Sequence, residues 1–240
     1  MSRPNITIVQ QTGSTNTDLA AALRSLSLPA EGDWLVARRQ SAGKGRQGRE
    51  WFDGAGNFMG SSVVQLRSSD PAPQTLGLVV ALAVYDAVQA LLPEPSKPRL
   101  KWPNDVLLGE GKLSGILLEM VAGCVIVGIG VNLKQAPDLP DRKTAAIADI
   151  APPPRLEDFA STLAAAFAAR LEEWRSSGLQ TVLAQFEQRS IHTIGSAVTV
   201  HDTDGSHISG TFAGFEPGDG ALRLRLADGS ERVIRAGDII

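Results

Sequence analysis

The sequence predicts an α+β protein: a mixed, mainly antiparallel sheet flanked by helices over residues 1–190, followed by a small β-barrel over residues 191–240. Three observations carry this. Strand-like runs follow one another from Arg99 to Leu133 with no helix between them, which opposes a doubly wound parallel sheet. Two long apolar stretches, Thr75–Leu92 and Leu156–Ser177, carry helical spacing. From Ser196 the pattern changes to short alternating runs broken by turns at Asp204-Gly, Pro217-Gly-Asp-Gly and Asp228-Gly.

In chain order, Ile6–Val9 is a short β-branched strand. Gly13-Ser-Thr-Asn16 then turns into a helix marked by Leu19, Leu23 and Leu26, with Ser14 or Thr15 as its N-cap. Trp34–Ala37 is a second strand and Asn57–Leu66 a third. After the helix 75–92, Pro93, Pro95 and Pro98 stop the chain from continuing helically. Arg99–Trp102 and Val106–Leu108 are strands around Pro103-Asn-Asp; Gly109-Glu-Gly111 turns into a strand over Lys112–Met120, and Cys124–Leu133 is another. Leu156, Phe159, Leu163, Phe167, Leu171 and Trp174 form one face of the second long helix, closed by Gly178, and a shorter helix spans Thr181–Gln188.

The chain has 240 residues, 43% hydrophobic, with a formal charge of −3, so nothing draws it as a whole to nucleic acid. The single cysteine, Cys124, lies in an apolar run and reads as a core thiol; one cysteine allows no internal disulfide, which suits a reducing cytoplasm. No secretory leader opens the sequence and no run is long enough to span a membrane, so membrane partners are not expected.

Against this mild background Arg38–Trp51 is strongly cationic: Arg38, Arg39, Lys44, Arg46 and Arg49, with glycines at 43, 45 and 48. Glycines admit close backbone approach, and cations neutralise phosphate or carboxylate, so the stretch reads as an anion-binding loop. It has too few apolar residues to be held by packing of its own, and folding over a bound anion is expected. Its glycines match the dinucleotide fingerprint, but Asp53, Gly54, Gly56 and Asn57 follow where that motif requires a helix. Arg49-Glu50 stands where a P-loop needs Lys-Ser/Thr. By itself, such a loop is more often a solvated charge run.

Five segments in register change that weighting: Gly13-Ser-Thr-Asn16, the Gly-Lys-Gly-Arg loop, Lys101-Trp-Pro-Asn-Asp105, Lys112-Leu-Ser-Gly-Ile116 and Gly128-Ile-Gly-Val-Asn132. In this order and spacing the chain resembles the biotin protein ligases over essentially its whole length, in a short form without an N-terminal DNA-binding segment. The resemblance implies a class II synthetase-like catalytic domain and an SH3-like barrel. It also implies biotin and ATP as substrates with Mg²⁺, and biotinyl-adenylate as intermediate. The implied partners are the biotin carboxyl carrier protein of acetyl-CoA carboxylase and other biotin-dependent carboxylases, with the enzyme a monomer or weak homodimer. Joining a carboxylate to a phosphate calls for positioned cations and no enzyme nucleophile. That suits a sequence without a Cys/His or Ser/His/Asp arrangement, whose three histidines, His192, His201 and His207, fall at or beyond the barrel boundary.

Carried over by motif, Lys112 is the central catalytic lysine, with Arg46, and with Asp105 as metal ligand or as the group orienting the incoming lysine. Ser14, Thr15, Asn16, Gln40, Lys44, Gly45, Arg46, Lys112 and Gly115 match the biotin side. Arg46, Arg49, Trp51, Lys101 and Asn132 match the ATP and adenylate side. Lys44 replaces the family's usual arginine, keeping charge while losing bidentate geometry. A lipoate or octanoate ligase and a non-catalytic biotin or adenylate sensor are the alternatives; the polar Ser-Thr-Asn and Gln40 set favours a ureido ring over an alkyl tail.

Overall fold

The computed structural model describes residues 4–25, 29–201 and 205–239. Its main sheet has seven strands, from edge to edge β1 (Ile6–Val9), β2 (Trp34–Ala37), β3 (Phe58–Gln65), β7 (Cys124–Val131), β6 (Gly111–Val121), β5 (Asp105–Leu108) and β4 (Pro98–Lys101). Only β1 and β2 run parallel; every other pair is antiparallel. The expected mixed sheet is present, and each predicted strand lies within two residues of its observed bounds. The β5–β6 hairpin turns at Gly109, where φ is +59°, a backbone glycine adopts without strain.

One face of this sheet is covered by α2 (Leu76–Gln89), α3 (Leu156–Ser176) and α4 (Leu179–Arg189). α2 is buried almost all round, as its unbroken apolar run requires. All six residues of the predicted α3 stripe are buried, and Gly178 (φ +77°) follows its last turn. The opposite face carries only α1 (Thr15–Arg24), whose Leu19, Ala20 and Leu23 pack on Val63 and Ile126. Beyond that small cluster the motif residues gather on this face.

Leu26, assigned to the first helix, and Asp204, assigned to a turn, lie outside the described residues. Ser14 occupies the N-cap position, but its hydroxyl makes no capping bond. Cys124 is half-buried at the margin of the α1 cluster, not a core thiol, because it opens β7 at the end of the sheet. Among the described residues no helix is long and apolar enough to cross a membrane.

The last strands, β8 (Ala197–His201), β9 (His207–Phe215), β10 (Leu222–Arg225), β11 (Glu231–Ile234) and β12 (Asp238–Ile239), form a second, antiparallel sheet in the order β11-β10-β9-β8-β12. It shares a core with the first: Phe186 of α4 meets Phe215 edge-on at 5.6 Å, and Trp102 Nε1 donates to Gly220 O at 3.1 Å. Phe186→Ala is therefore expected to destabilise the fold by about 3–5 kcal/mol, the range for truncating a buried aromatic. Chemical denaturation followed by far-UV circular dichroism measures this, and loss of only the second sheet's signal would show the two to be independent.

Candidate active site

Three glycines line the sheet face that carries α1 and let side chains approach its backbone. Gly115 of β6 faces Gly130 of β7 across the ladder, and Gly128 lies two residues before Gly130. A Cβ at Gly130 would come within 2.1 Å of the Trp51 ring, one at Gly115 within 2.7 Å of it, and one at Gly128 within 2.3 Å of Asn16 Oδ1. Trp51 thus lies over Gly115 and Gly130, its Nε1 buried without a hydrogen-bond partner.

Beside this floor, the first turn of α1 brings Thr15 and Asn16 to Gln40 and to Ser61 of β3. Thr15 N donates to Gln40 Oε1 at 2.7 Å, with the Thr15 hydroxyl 3.1 Å from the same oxygen. The Thr15 and Ser61 hydroxyls are 2.6 Å apart, Ser61 Oγ donates to Asn16 Oδ1 at 2.5 Å, and Asn16 Nδ2 donates to Glu119 Oε2 of β6 at 2.6 Å. Ser14, Thr15, Asn16, Gln40 and Ser61 are all buried. Burying so many polar groups costs stability unless they pair, and Thr15, Asn16, Ser61 and the Gln40 carbonyl pair with one another.

The cations gather at the other end of the floor. Lys112 Nζ lies 2.6 Å from Asp105 Oδ1, both side chains about one-fifth exposed. Lys101, across the β4–β5 ladder from Asp105, is held below the usual lysine range by burial, partly opposed by the Asp105 charge and reinforced by Lys112. His192, half-buried, is lowered by burial and by the Lys101 charge, and the chain beside it pairs with β4, Ile191 N donating to Leu100 O at 2.9 Å.

The basic loop closes on itself through Trp51 N→Gly43 O (3.0 Å) and Gly45 N→Arg49 O (2.7 Å). Its anchors come from far away. Arg46 Nη1 donates to Asn104 Oδ1 (3.1 Å) and to Asp238 Oδ1 (3.0 Å), and Arg49 Nη2 donates to Asp238 Oδ2 (2.5 Å). Asp238 belongs to β12, at the far end of the chain. Burial raises its pKa, but the Arg49 hydrogen bond and the Arg46, Arg49 and Lys112 charges outweigh this and hold it below the usual carboxylate range.

Of the residues singled out from sequence, Thr15, Asn16 and Gln40 meet in one network, with Ser14 buried beside them. Lys101, Asp105 and Lys112 meet in a second cluster, and Arg46 and Arg49 in a third. Trp51 and Gly115 touch. Lys44 is exposed to solvent. Asn132 is buried, its amide donating to the carbonyls of Ala145 (3.1 Å) and Lys112 (3.4 Å). Sequence reasoning gave no role to Ser61, Asn104, Glu119 or Asp238. Asn104 lay inside the Lys101–Asp105 motif without being singled out, and Ser61 carried the signal of a polar residue in a strand otherwise apolar enough to be buried.

The sequence pattern of the biotin/lipoate A/B protein ligase family matches residues 8–134. The chain belongs to the biotin/lipoate A/B protein ligase family. It is 38% identical over 97% of its length to a biotin–[acetyl-CoA-carboxylase] ligase of Mycobacterium tuberculosis, covering 87% of that protein. To the ligase of the same name from Paracoccus denitrificans it is 36% identical, over 97% of this chain and 98% of that one. In fold it is similar to a biotin protein ligase from Aquifex aeolicus solved with biotin and ATP: TM-score 0.84, 24% identity, covering 98% and 97% of the two chains.

Asp238→Asn is expected to release the loop, seen as faster tryptic cleavage at Arg46 and Arg49 with the rest of the chain intact. Because folding lowers the Asp238 pKa, the Asp238 contribution to stability is present above the ordinary aspartate pKa and is lost as pH falls through the depressed native value. Hydrogen-exchange protection across residues 43–51, taken relative to the intrinsic exchange rate at each pH, is expected to stay constant near neutrality and to fall only in acid; loss of protection already near pH 6 would assign the clamp elsewhere.

Proposed function

We propose that the protein is a biotin–protein ligase: it activates biotin with ATP and transfers the biotinyl group to a lysine of a biotin carboxyl carrier protein. The observation that carries this is the pairing, beside one row of glycines, of a buried polar network with a cation cluster. The curated relatives that match nearly the whole chain bear the same activity in their names.

In the first step a carboxylate oxygen of biotin attacks the α-phosphorus of ATP and the bond to the β-phosphate breaks, leaving biotinyl-5′-AMP and pyrophosphate. Two anions must meet, so cationic stabilisation is the largest contribution the protein can make. Lys112 is the cation best placed to supply it. It projects from a strand held between two others, and exchanging Asp105 for substrate oxygens leaves its charge paired throughout. Arg46, Arg49 and Lys101 take the phosphates, with Lys44 joining when the loop closes. Trp51 and Asn132 serve the adenine end; Ser14, Thr15, Asn16 and Gln40, with backbone at Gly45 and Gly115, hold the ureido ring. In the second step the carrier's lysine nitrogen, having lost its proton, attacks the acyl carbon and AMP leaves.

Magnesium fits this site only together with the nucleotide. Among the described residues no three His, Cys, Asp or Glu side chains converge. Mg²⁺ commonly takes one or two carboxylates and completes its shell with phosphate and water, and Asp105 is the carboxylate suited to it. When bound, the ion would neutralise charge on the departing pyrophosphate. The reading places the enzyme in the cytoplasm, where ATP and the acetyl-CoA carboxylase carrier meet, and other biotin-dependent carboxylases present carriers of the same chemistry.

A lipoate or octanoate ligase is the competing reading, since the family includes both chemistries. The Nε2 of buried Gln40, without a hydrogen-bond partner among the described residues, would stay unpaired against an alkyl or dithiolane tail, which disfavours it. Incubation with ATP, a carrier domain and each acid in turn, followed by mass spectrometry, is expected to show the biotinyl mass increment alone; an octanoyl or lipoyl increment would overturn the assignment.

Lys112→Ala is expected to keep the fold and to slow biotin-dependent pyrophosphate exchange by roughly 10²–10⁴-fold, the scale of one transition-state electrostatic contact. Near-parental exchange would remove Lys112 from the catalytic role. Trp51 lies in the site, whereas Trp34, Trp102 and Trp174 are buried in the core. A change in intrinsic fluorescence on adding biotin and ATP is therefore expected in the parent and lost in Trp51→Phe.

A further inference from the structure

Lys97, Arg99 and Arg189 line one surface groove of about 580 Å³ beside β4, the edge strand of the main sheet, together with the Tyr85 ring of α2. Among the described residues no carboxylate forms an ion pair with any of the three. By contrast, Arg170 lies against Asp86 and Arg175 against Glu31 and Asp70. Glu94 and Glu187 adjoin the groove in sequence without lining it, and Glu173 feels the Arg189 charge without pairing with it.

Two of these cations are nevertheless held in place, by neutral groups. Arg99 Nη2 donates to Ser190 O, and Arg189 Nη1 donates to Gln185 O at 2.9 Å. The Arg189 guanidinium also lies 5.2 Å from the centre of the Tyr85 ring. A carbonyl or an aromatic face orients a guanidinium without cancelling its charge, and leaves N–H donors to spare. Lys97, exposed, adds a third positive charge. The groove thus presents oriented, uncompensated cations to solvent.

β4 joins this groove to the candidate site. Arg99 and Lys101 stand two residues apart on it, on the same face and about 7 Å apart along the strand. Residues 190–192 follow alongside, Ile191 N donating to Leu100 O at 2.9 Å, and the Lys101 charge reaches His192. Lys101 in turn faces Asp105 across the ladder, and Asp105 holds Lys112. Positive charge therefore continues from Lys112 through Lys101 to the groove.

We propose that the groove is a docking surface for an acidic face of the carrier domain, whose carboxylates pair with Lys97, Arg99 and Arg189 while its target lysine is presented near Lys112. Such docking rests on the biotin-ligase reading, in which the second step requires a protein acceptor. Even a small transient interface covers roughly 600 Å² per partner, a patch wide enough to take in a groove two residues along β4 from Lys101. Guanidiniums already oriented lose little freedom on pairing, and charges at the margin of an interface act chiefly on encounter and orientation. The groove therefore serves transfer to the carrier and leaves adenylation untouched.

The test uses the full chain and the apo carrier domain of an acetyl-CoA carboxylase in two assays. Pyrophosphate exchange with biotin and ATP needs no carrier, whereas transfer of the biotinyl group does. In the double variant Lys97→Glu, Arg189→Glu the KM for the carrier is expected to rise about tenfold, with exchange and the kcat of transfer at parental values. The parent's KM for the carrier is expected to rise as salt is raised from roughly 50 to 200 mM, and the variant's to lose that dependence. A parental KM for the carrier in a variant with parental exchange overturns the proposal. Impaired exchange with the carrier KM unchanged would assign the groove to the nucleotide, and overturns it as well. Should the double variant not fold, Lys97→Glu alters one exposed side chain and is expected to raise the carrier KM about threefold, an unchanged value overturning the proposal. A parent that exchanges no pyrophosphate with biotin would instead overturn the biotin reading, and the docking proposal with it.

Discussion

The absence of side chains at Gly115, Gly128 and Gly130 is the constraint on which the site depends. In β7 the alternation Gly128-Ile129-Gly130-Val131 sends the apolar residues into the core beneath α2 and α3 and leaves bare backbone on the other face. A Cβ at any of the three would strike Trp51 or Asn16. Glycine inside a strand costs roughly 0.5–1 kcal/mol relative to alanine, and β7 sits where that is best absorbed, paired along its whole length with β3 and β6. The sheet's stability is thereby exchanged for the close seating of the Trp51 ring and of Asn16 on its backbone.

The second constraint is electrostatic. Lys101, Lys112, Arg46 and Arg49 converge from three separate segments, and like charges at such proximity repel. Two carboxylates keep the cluster compact, Asp105 against Lys112 and Asp238 against both arginines. Ion pairs this exposed contribute on the order of 1 kcal/mol or less. They are strong enough to hold the geometry and weak enough for phosphates to displace. In the proposed reaction the cations exchange protein carboxylates for substrate anions and stay paired at every stage.

These constraints also explain why the second sheet belongs to the enzyme. Its core is continuous with that of the first through Phe186 and Phe215, and its final strand supplies Asp238 to the loop. The loop itself has almost no apolar residues to anchor it, so its conformation depends on a strand made nearly 190 residues later.

The sequence by itself determined the secondary structure, the antiparallel character of the sheet and the family motifs. Apolar period, turn glycines and helix stops are local properties, written within a few residues of where they act. It also marked Lys112, Thr15, Gln40 and Arg46, whose motifs are contiguous. Only the tertiary structure decided their partnerships: Asn104 and Asp238 on Arg46, Glu119 on Asn16, Ser61 between two network members, Lys44 turned to solvent and Asn132 turned into the fold. Glu119 and Asp238 read as ordinary surface acids in isolation. Their roles arise from strands brought together across 103 and 192 residues of chain, and no local pattern encodes which carboxylate will meet which cation or amide once the sheet closes.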